Sequence, residues 1–141
     1  MAKITFIIGL CGSGKTYLSD QLSMATGVEV FESLVEKQDT DIPKLLQCLR
    51  DGQDCVVEEI SFCTADTRGL MMRQISQHVP ECEVEWMCYE NDLESANWNV
   101  THRINKGEIE RHIEINGRVH QSYSYPDGCT LLPITRIPTR V

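Results

Sequence analysis

The chain has no apolar run near the roughly 20 residues that a membrane-spanning helix needs, which excludes a helical span. No two of its seven cysteines (11, 48, 55, 63, 82, 88 and 129) form a Cys-x-x-Cys pair, so neither a zinc knuckle nor a dithiol redox motif is present. Basic residues are not in surplus: 13 Lys and Arg stand against 21 Asp and Glu, a formal net charge of −8. A generic duplex-binding protein would present a basic face, so the balance argues against nonspecific nucleic-acid binding. No repeat, low-complexity tract or Pro/Gly/Ser-rich linker divides the 141 residues, a length that suits one domain with one core. Residues 1–9 hold only a short apolar run without a small-residue cleavage pattern, and read as a first strand rather than a secretory signal. The cysteines are then expected to be reduced, mostly buried thiols of a cytoplasmic protein.

Charge is distributed unevenly. Residues 1–100 hold seven basic and 17 acidic side chains, whereas residues 101–141 hold six basic and four acidic, so the last third leaves room for a local basic site. Residues 3–8, 28–31, 55–57, 84–89 and 130–134 read as short apolar strands. Between them, Leu18, Leu22 and Ala25 share a helical stripe over 15–25. Ile42, Leu45, Leu46 and Leu49 recur at i, i+3, i+4 and i+7 in a helix ending near Gly52. Leu70, Met71, Ile75 and His78 mark a helix that stops before Pro80, and Asn91 or Asp92 can cap a fourth carrying Leu93, Ala96, Val100 and Ile104. Strands that are apolar on both faces and alternate with helices predict an α/β fold: a three-layer α/β/α domain around a five-stranded parallel sheet, spanning 1–141. The polar stretch 105–128, with Gly107, Gly117, Pro126 and Gly128, breaks the rhythm and reads as a candidate lid.

Gly9-Leu10-Cys11-Gly12-Ser13-Gly14-Lys15-Thr16 matches Gly-x4-Gly-Lys-[Ser/Thr] at every position, between an apolar strand and an amphipathic helix. A polyphosphate is wrapped by inward-pointing backbone N–H groups. That demands φ angles glycine adopts at low cost and leaves no room for side chains between main chain and phosphate. The helix N-terminus adds unpaired donors and the positive end of its dipole. Lys15 supplies a mobile ammonium for the β/γ oxygens, and the Thr16 hydroxyl is a ligand for Mg²⁺. The octapeptide therefore predicts a P-loop that binds ATP with Mg²⁺. Such a loop also needs an acidic group at the carboxyl end of a neighbouring strand, and Glu58-Glu59 leaves strand 55–57 where that group belongs. Successive strand residues face opposite sides, so one of the two points at the phosphates, with Glu59 preferred.

Two short sequences imitate GTPase motifs, Asp66-Thr67-Arg68-Gly69 and Asn105-Lys106-Gly107-Glu108. The first opens a predicted helix and the second ends one, so neither directly follows a strand and ATP is expected over GTP. In the last third, Arg103, Arg111 and Arg118, with Lys106, offer permanent charge to phosphate oxygens along the candidate lid. Arg103 and Arg111 are the candidate catalytic pair. The alternative is that these arginines pair with Glu108, Glu110 and Glu114 on a solvated helix face. His102, His112 and His120 lack Cys or Asp at ligand spacing and read as surface histidines. Glu32 follows the second strand in the crevice region where α/β sheets bind substrates, and is the candidate general base, with Asp39 and Asp41 as competitors. Trp86 and Tyr89 read as core, while Trp98 is open to either role.

In chain order come the loop 9–16, the acidic exit Glu58-Glu59, a fourth strand running into Tyr89-Glu90-Asn91-Asp92, and Asn99-Val100-x-x-Arg103 ending a helix before an Arg-bearing segment. In this arrangement the sequence resembles the small P-loop kinases of the adenylate- and shikimate-kinase class, within the P-loop NTPase superfamily. It especially resembles their polynucleotide-5′-hydroxyl-kinase and zeta-toxin-like branch. The resemblance implies a five-stranded sheet with the P-loop strand central and transfer of the ATP γ-phosphoryl group to a bound small-molecule or nucleotide-like acceptor. It also implies a lid arginine on the transferring phosphate, a part open to Arg103 and Arg111. The chain departs from the pattern in carrying Glu where Asp is usual at the third-strand exit, and in lacking an acceptor signature after strand two. Two other functions fit the same residues: an ATPase switch in which Glu58-Glu59 holds metal and orients water, and a non-catalytic nucleotide-binding module.

Overall fold

The structure, a computed structural model, describes residues 1–103 and 107–138. Strands β1 (Lys3–Ile8), β2 (Glu29–Glu32), β3 (Cys55–Glu58), β4 (Glu83–Tyr89) and β5 (Thr130–Leu132) form one parallel sheet in the order β2-β3-β1-β4-β5. Helices α1 (Lys15–Thr26), α2 (Gln38–Arg50), α3 (Ala65–His78), α4 (Leu93–His102) and α5 (Ile109–Ser122) connect and cover it. This is the expected three-layer arrangement, with β1 at the centre. Ile4, Phe6, Ile7 and Ile8 of β1 are wholly buried, which an innermost strand covered on both faces requires.

The pleat divides the core. Ile4, Phe6 and Ile8 pack with Phe31, Leu45, Leu49, Val57 and Phe62 on one face, where Phe6 also stacks on Trp86 at 4.3 Å. Ile7, Val56 and Tyr89 pack with Leu18, Leu22 and Val28 on the α1 face. Asp92 caps α4 by accepting the Ser95 N–H at 3.1 Å. Among the described residues no helix is long and apolar enough to cross a membrane.

The main difference from the sequence reading lies in the stretch 105–128. Ile109–Ser122 is a 14-residue helix, with Ile109, Ile113 and Val119 partly shielded on the side of the wholly buried Asn116. Ile109, Ile113, Asn116 and Val119 do fall at helical spacing, i, i+4, i+7 and i+10, but the overall polarity of the stretch and its glycines mask that periodicity. Ile104, Asn105 and Lys106, and with them the start of the candidate lid, lie outside the described residues. The last strand stops at Leu132 rather than 134 because Pro133 has no N–H for the ladder.

All seven cysteines are free thiols, and Cys48, Cys55, Cys63 and Cys88 are buried. Burial pushes the Cys55 thiol up to about 12 and the Cys63 thiol up to about 11, so both stay protonated and inert.

Candidate active site

Between β1 and α1 the chain folds back on itself as a cradle. Gly12 and Gly14 stand at φ 86° and 112°. A Cβ on Gly12 would approach the Ala96 carbonyl oxygen to 2.5 Å, and one on Gly9 would approach Ser13 Oγ to 2.5 Å. The first meets fixed backbone at a positive φ, and the second meets a side-chain hydroxyl with Tyr89 Cβ behind it at 3.0 Å. Gly14 precedes α1 without a capping side chain, which leaves the first-turn N–H groups without intrahelical partners. Lys15 Nζ arches over the loop to the Gly9 and Leu10 carbonyls, each at 2.9 Å. Ser13 Oγ is buried without a hydrogen-bond partner, alone in this respect among the described residues. A concave set of unpaired donors around a mobile ammonium fits a polyphosphate.

The two carboxylates leaving β3 part company. The Thr16 hydroxyl donates to Glu58 Oε1 at 2.5 Å, and the Ser19 hydroxyl donates to Glu58 Oε2 at 2.9 Å. Glu59 instead accepts the Val35 N–H at 3.1 Å, across on the segment after β2. Register explains the choice: Glu58 pairs with Ile7, whose side chain lies on the α1 face, and the next residue must turn away. The sequence reading prefers Glu59; in the fold it is Glu58 that meets Thr16. Among the described residues no cluster of three or more His, Cys, Asp or Glu side chains could hold a metal ion. The Thr16–Glu58 oxygen pair suits Mg²⁺, which keeps several waters and binds through few protein oxygens plus phosphate.

Three side chains far away in sequence fasten the loop. Asn116 accepts the Cys11 N–H at 2.7 Å and donates to the Cys11 carbonyl at 2.9 Å. Asn99 donates to the Gly12 carbonyl at 2.9 Å, and the Tyr89 hydroxyl donates to the Gly14 carbonyl at 3.2 Å. Tyr89, which reads as core in the sequence, is therefore also a loop contact. Burial raises the Tyr89 phenol above its ordinary pKa, with the Glu58 charge adding to the shift, so it remains a donor. Cys11 is raised by burial, against the opposing charge of Lys15, and its thiol is not a nucleophile.

A cavity of about 770 Å³ opens beside the loop, walled by Tyr17, Gln21, Arg103 and the segment 132–138. Arg103 donates to His112 Nδ1 at 2.9 Å and to the Gly107 carbonyl. Arginine can only donate, so the His112 proton sits on Nε2; burial, followed by the Arg103 charge, lowers the His112 pKa. Arg111 is not on the cavity wall. It makes an exposed pair with Glu108 at 2.9 Å, the solvated-face arrangement. Arg136 is on the wall, its Nε bonded to Ser95 Oγ at 2.9 Å and its guanidinium 5.6 Å from the Trp98 ring. Trp98 in turn donates to the Ile137 carbonyl at 3.0 Å and stacks on His102.

On the other side of β3, Glu32 ends β2 directly opposite Glu58 and is exposed. Partial desolvation, with the charges of Glu58 and Asp20, raises its carboxyl above the ordinary range. Asp39 and Asp41 lie in the first turn of α2, where acids complement the helix dipole. Ser19, Asn116 and Arg136 were not visible as site residues from sequence. Each acts through partners between three and 105 positions away, and no local motif marks them.

No family model and no curated protein matches the chain. Among solved structures, a gluconokinase from Sinorhizobium meliloti 1021 is similar, with a TM-score of 0.58 over 96% of this chain and 84% of that one, at 13% identity. Likeness at that identity is a likeness of fold. The five-stranded parallel sheet and its helices form a P-loop kinase-like α/β fold.

Proposed function

We propose that the chain is an ATP- and magnesium-dependent phosphotransferase that moves the γ-phosphoryl group to a hydroxyl-bearing acceptor, either a small molecule or a nucleotide-like one. The observation that carries this reading is the glycine cradle 9–16 with the Thr16 hydroxyl on Glu58, in a fold shared with a gluconokinase. The loop amides and the first turn of α1 take the phosphate oxygens, and Tyr17, Gln21 and the 132–138 wall bound the space for the nucleoside. Thr16 and Glu58 would hold Mg²⁺, which would supply positive charge to offset that of the phosphates. Lys15 exchanges its two carbonyl acceptors for those oxygens, and Arg103 adds permanent charge from the cavity wall. Arg111 would have to leave Glu108 to assist. Glu32, its carboxyl raised above the ordinary glutamate range by partial desolvation and by the charges of Glu58 and Asp20, is the candidate base for the proton of the acceptor hydroxyl. The protein's part is positioning and charge stabilisation rather than covalent chemistry.

A labelled-ATP transfer screen tests the reading. The panel comprises sugar acids of the kind a gluconokinase is named for, polyols, shikimate-like acids, nucleosides, nucleotides and 5′-hydroxyl oligonucleotides, with Lys15→Ala as the blank. Label is expected on one acceptor class with the wild-type chain and on none with the variant. Rapid hydrolysis indifferent to every acceptor would replace the kinase by an ATPase switch. Metal-dependent binding without turnover would replace it by a non-catalytic module.

A further inference from the structure

Two buried asparagines hold consecutive peptide units of the loop, yet their other contacts differ. Asn116, 0% exposed, saturates both polar groups of Cys11 and donates in addition to Asn97 Oδ1 at 3.0 Å. Asn99 donates to the carbonyls of Gly12 and Thr135, each at 2.9 Å, and accepts the Ile137 N–H at 2.7 Å. Each amide is used at both ends, so neither can flip without losing its contacts.

We infer that Asn116 and Asn99 are positioning residues that hold the phosphate loop in its anion-binding shape before nucleotide arrives. Asn99, bridging the loop and the 135–137 wall, links phosphate recognition to nucleoside recognition. The inference rests on the nucleotide-binding reading above. A loop already ordered loses less entropy on binding, and this raises affinity without any new contact to the ligand. The Cys11 and Ser13 N–H groups, engaged by Asn116 and by the Leu10 carbonyl at 3.1 Å, are withdrawn from the phosphate, which leaves the cradle to the remaining loop amides and Lys15. Helix α5 is anchored by the same bond, so it cannot swing as a rigid body without releasing Cys11.

The test uses the full chain with Asn116→Ala, Asn99→Ala and Asn97→Ala, titrated calorimetrically with Mg-ATP and with Mg-tripolyphosphate, thermal melts verifying the fold. Asn116→Ala is expected to weaken both ligands alike, by roughly tenfold or more, because Asn116 bonds the loop and Asn97 but no residue of the 132–138 wall. Asn99→Ala is expected to weaken ATP several-fold more than tripolyphosphate, because the nucleoside wall loosens as well. Asn97→Ala, which removes only the group orienting Asn116, should follow Asn116→Ala at smaller size, and it carries the test if Asn116→Ala does not fold. Hydrogen exchange at the Cys11 amide, read without nucleotide, should be slow in the wild type and fast in Asn116→Ala. A folded Asn116→Ala chain that binds both ligands like the wild type overturns the inference. So does a freely exchanging Cys11 amide in the wild type, or an Asn99→Ala chain that loses both ligands equally. Wild-type protein that binds neither ligand refutes the nucleotide-binding reading itself, and the linking role with it.

Discussion

Around β1 and β4 the carboxyl edge of the sheet is fastened by two side-chain amides and a phenol, whereas at β2 it ends in an exposed carboxylate followed by Ser33 at φ 55°. The first half carries the cradle, the Thr16–Glu58 pair and a walled cavity. The second carries Glu32 and the Val35 contact of Glu59. On the proposed reading, the contrast follows from what each half would recognise. A polyphosphate presents the same oxygens whatever receives its γ-phosphoryl group, so its half can be rigid. Acceptor chemistry differs between enzymes of similar fold and is carried by loops around a fixed scaffold.

The hardest blow to the rigid half is Gly12→Ala. At φ 86° and 2.5 Å from the Ala96 oxygen, the new methyl meets backbone on a neighbouring helix. Nucleotide binding should be lost and the melting temperature should drop by the equivalent of about 2–3 kcal/mol. Gly52→Ala makes the comparison sharp. Its φ is also positive, at 79°, but nothing lies within 4 Å of the added methyl, so only the backbone strain of about 1 kcal/mol remains and binding is retained. Equal losses for the two variants would remove the steric part of the account.

On the open half, Glu32→Gln should lower acceptor transfer by about 100-fold while leaving ATP affinity unchanged. Desolvation and the charges of Glu58 and Asp20 raise the Glu32 pKa, so the acid limb of kcat/KM must lie above the ordinary glutamate range and vanish in the variant. Stability has the opposite sense. The folded chain holds this proton more tightly than the unfolded one, so the Glu32 contribution is present at low pH and is lost as pH rises through the raised value. A profile with its acid limb at the ordinary glutamate position would assign the base elsewhere.

The two β3 carboxylates should separate in a magnesium titration. Glu58→Gln is expected to raise the half-saturating Mg²⁺ concentration by about 10–100-fold, while Glu59→Gln leaves it near the wild-type value. The smallest effects concern the arginines. Arg103→Ala should weaken kcat/KM by about tenfold, from a charge on the cavity wall. Arg111→Ala should change stability by no more than about 0.5 kcal/mol, from an exposed pair. A larger kinetic loss for Arg111 than for Arg103 would show that α5 reaches the phosphates after all.

Much of this architecture is legible in the sequence because its determinants are local. The apolar run 3–8, the glycine spacing of 9–16 and the Asp92 cap each act within a few residues, and each is where the spacing predicts. Helix α5 does carry helical spacing through Ile109, Ile113 and Val119, masked by the polarity of its stretch; what is not local is the burial of Asn116, which depends on Cys11, 105 positions away. The choice between Glu58 and Glu59 depends on sheet register, which pairs Glu58 with Ile7, and a strand end read alone carries no register. Arg103 and Arg111 are chemically alike in the sequence, and only the fold puts one on the cavity wall and the other in an exposed pair.

Calorimetric titration of Mg-ATP into the wild-type and Lys15→Ala chains probes the cradle itself. The wild type should take up one equivalent with measurable heat, and the variant, lacking the ammonium now resting on Gly9 and Leu10, should bind about 10–100-fold more weakly. Equal affinities, or no heat from any purine triphosphate with the wild-type chain, would contradict a phosphate-binding role for residues 9–16.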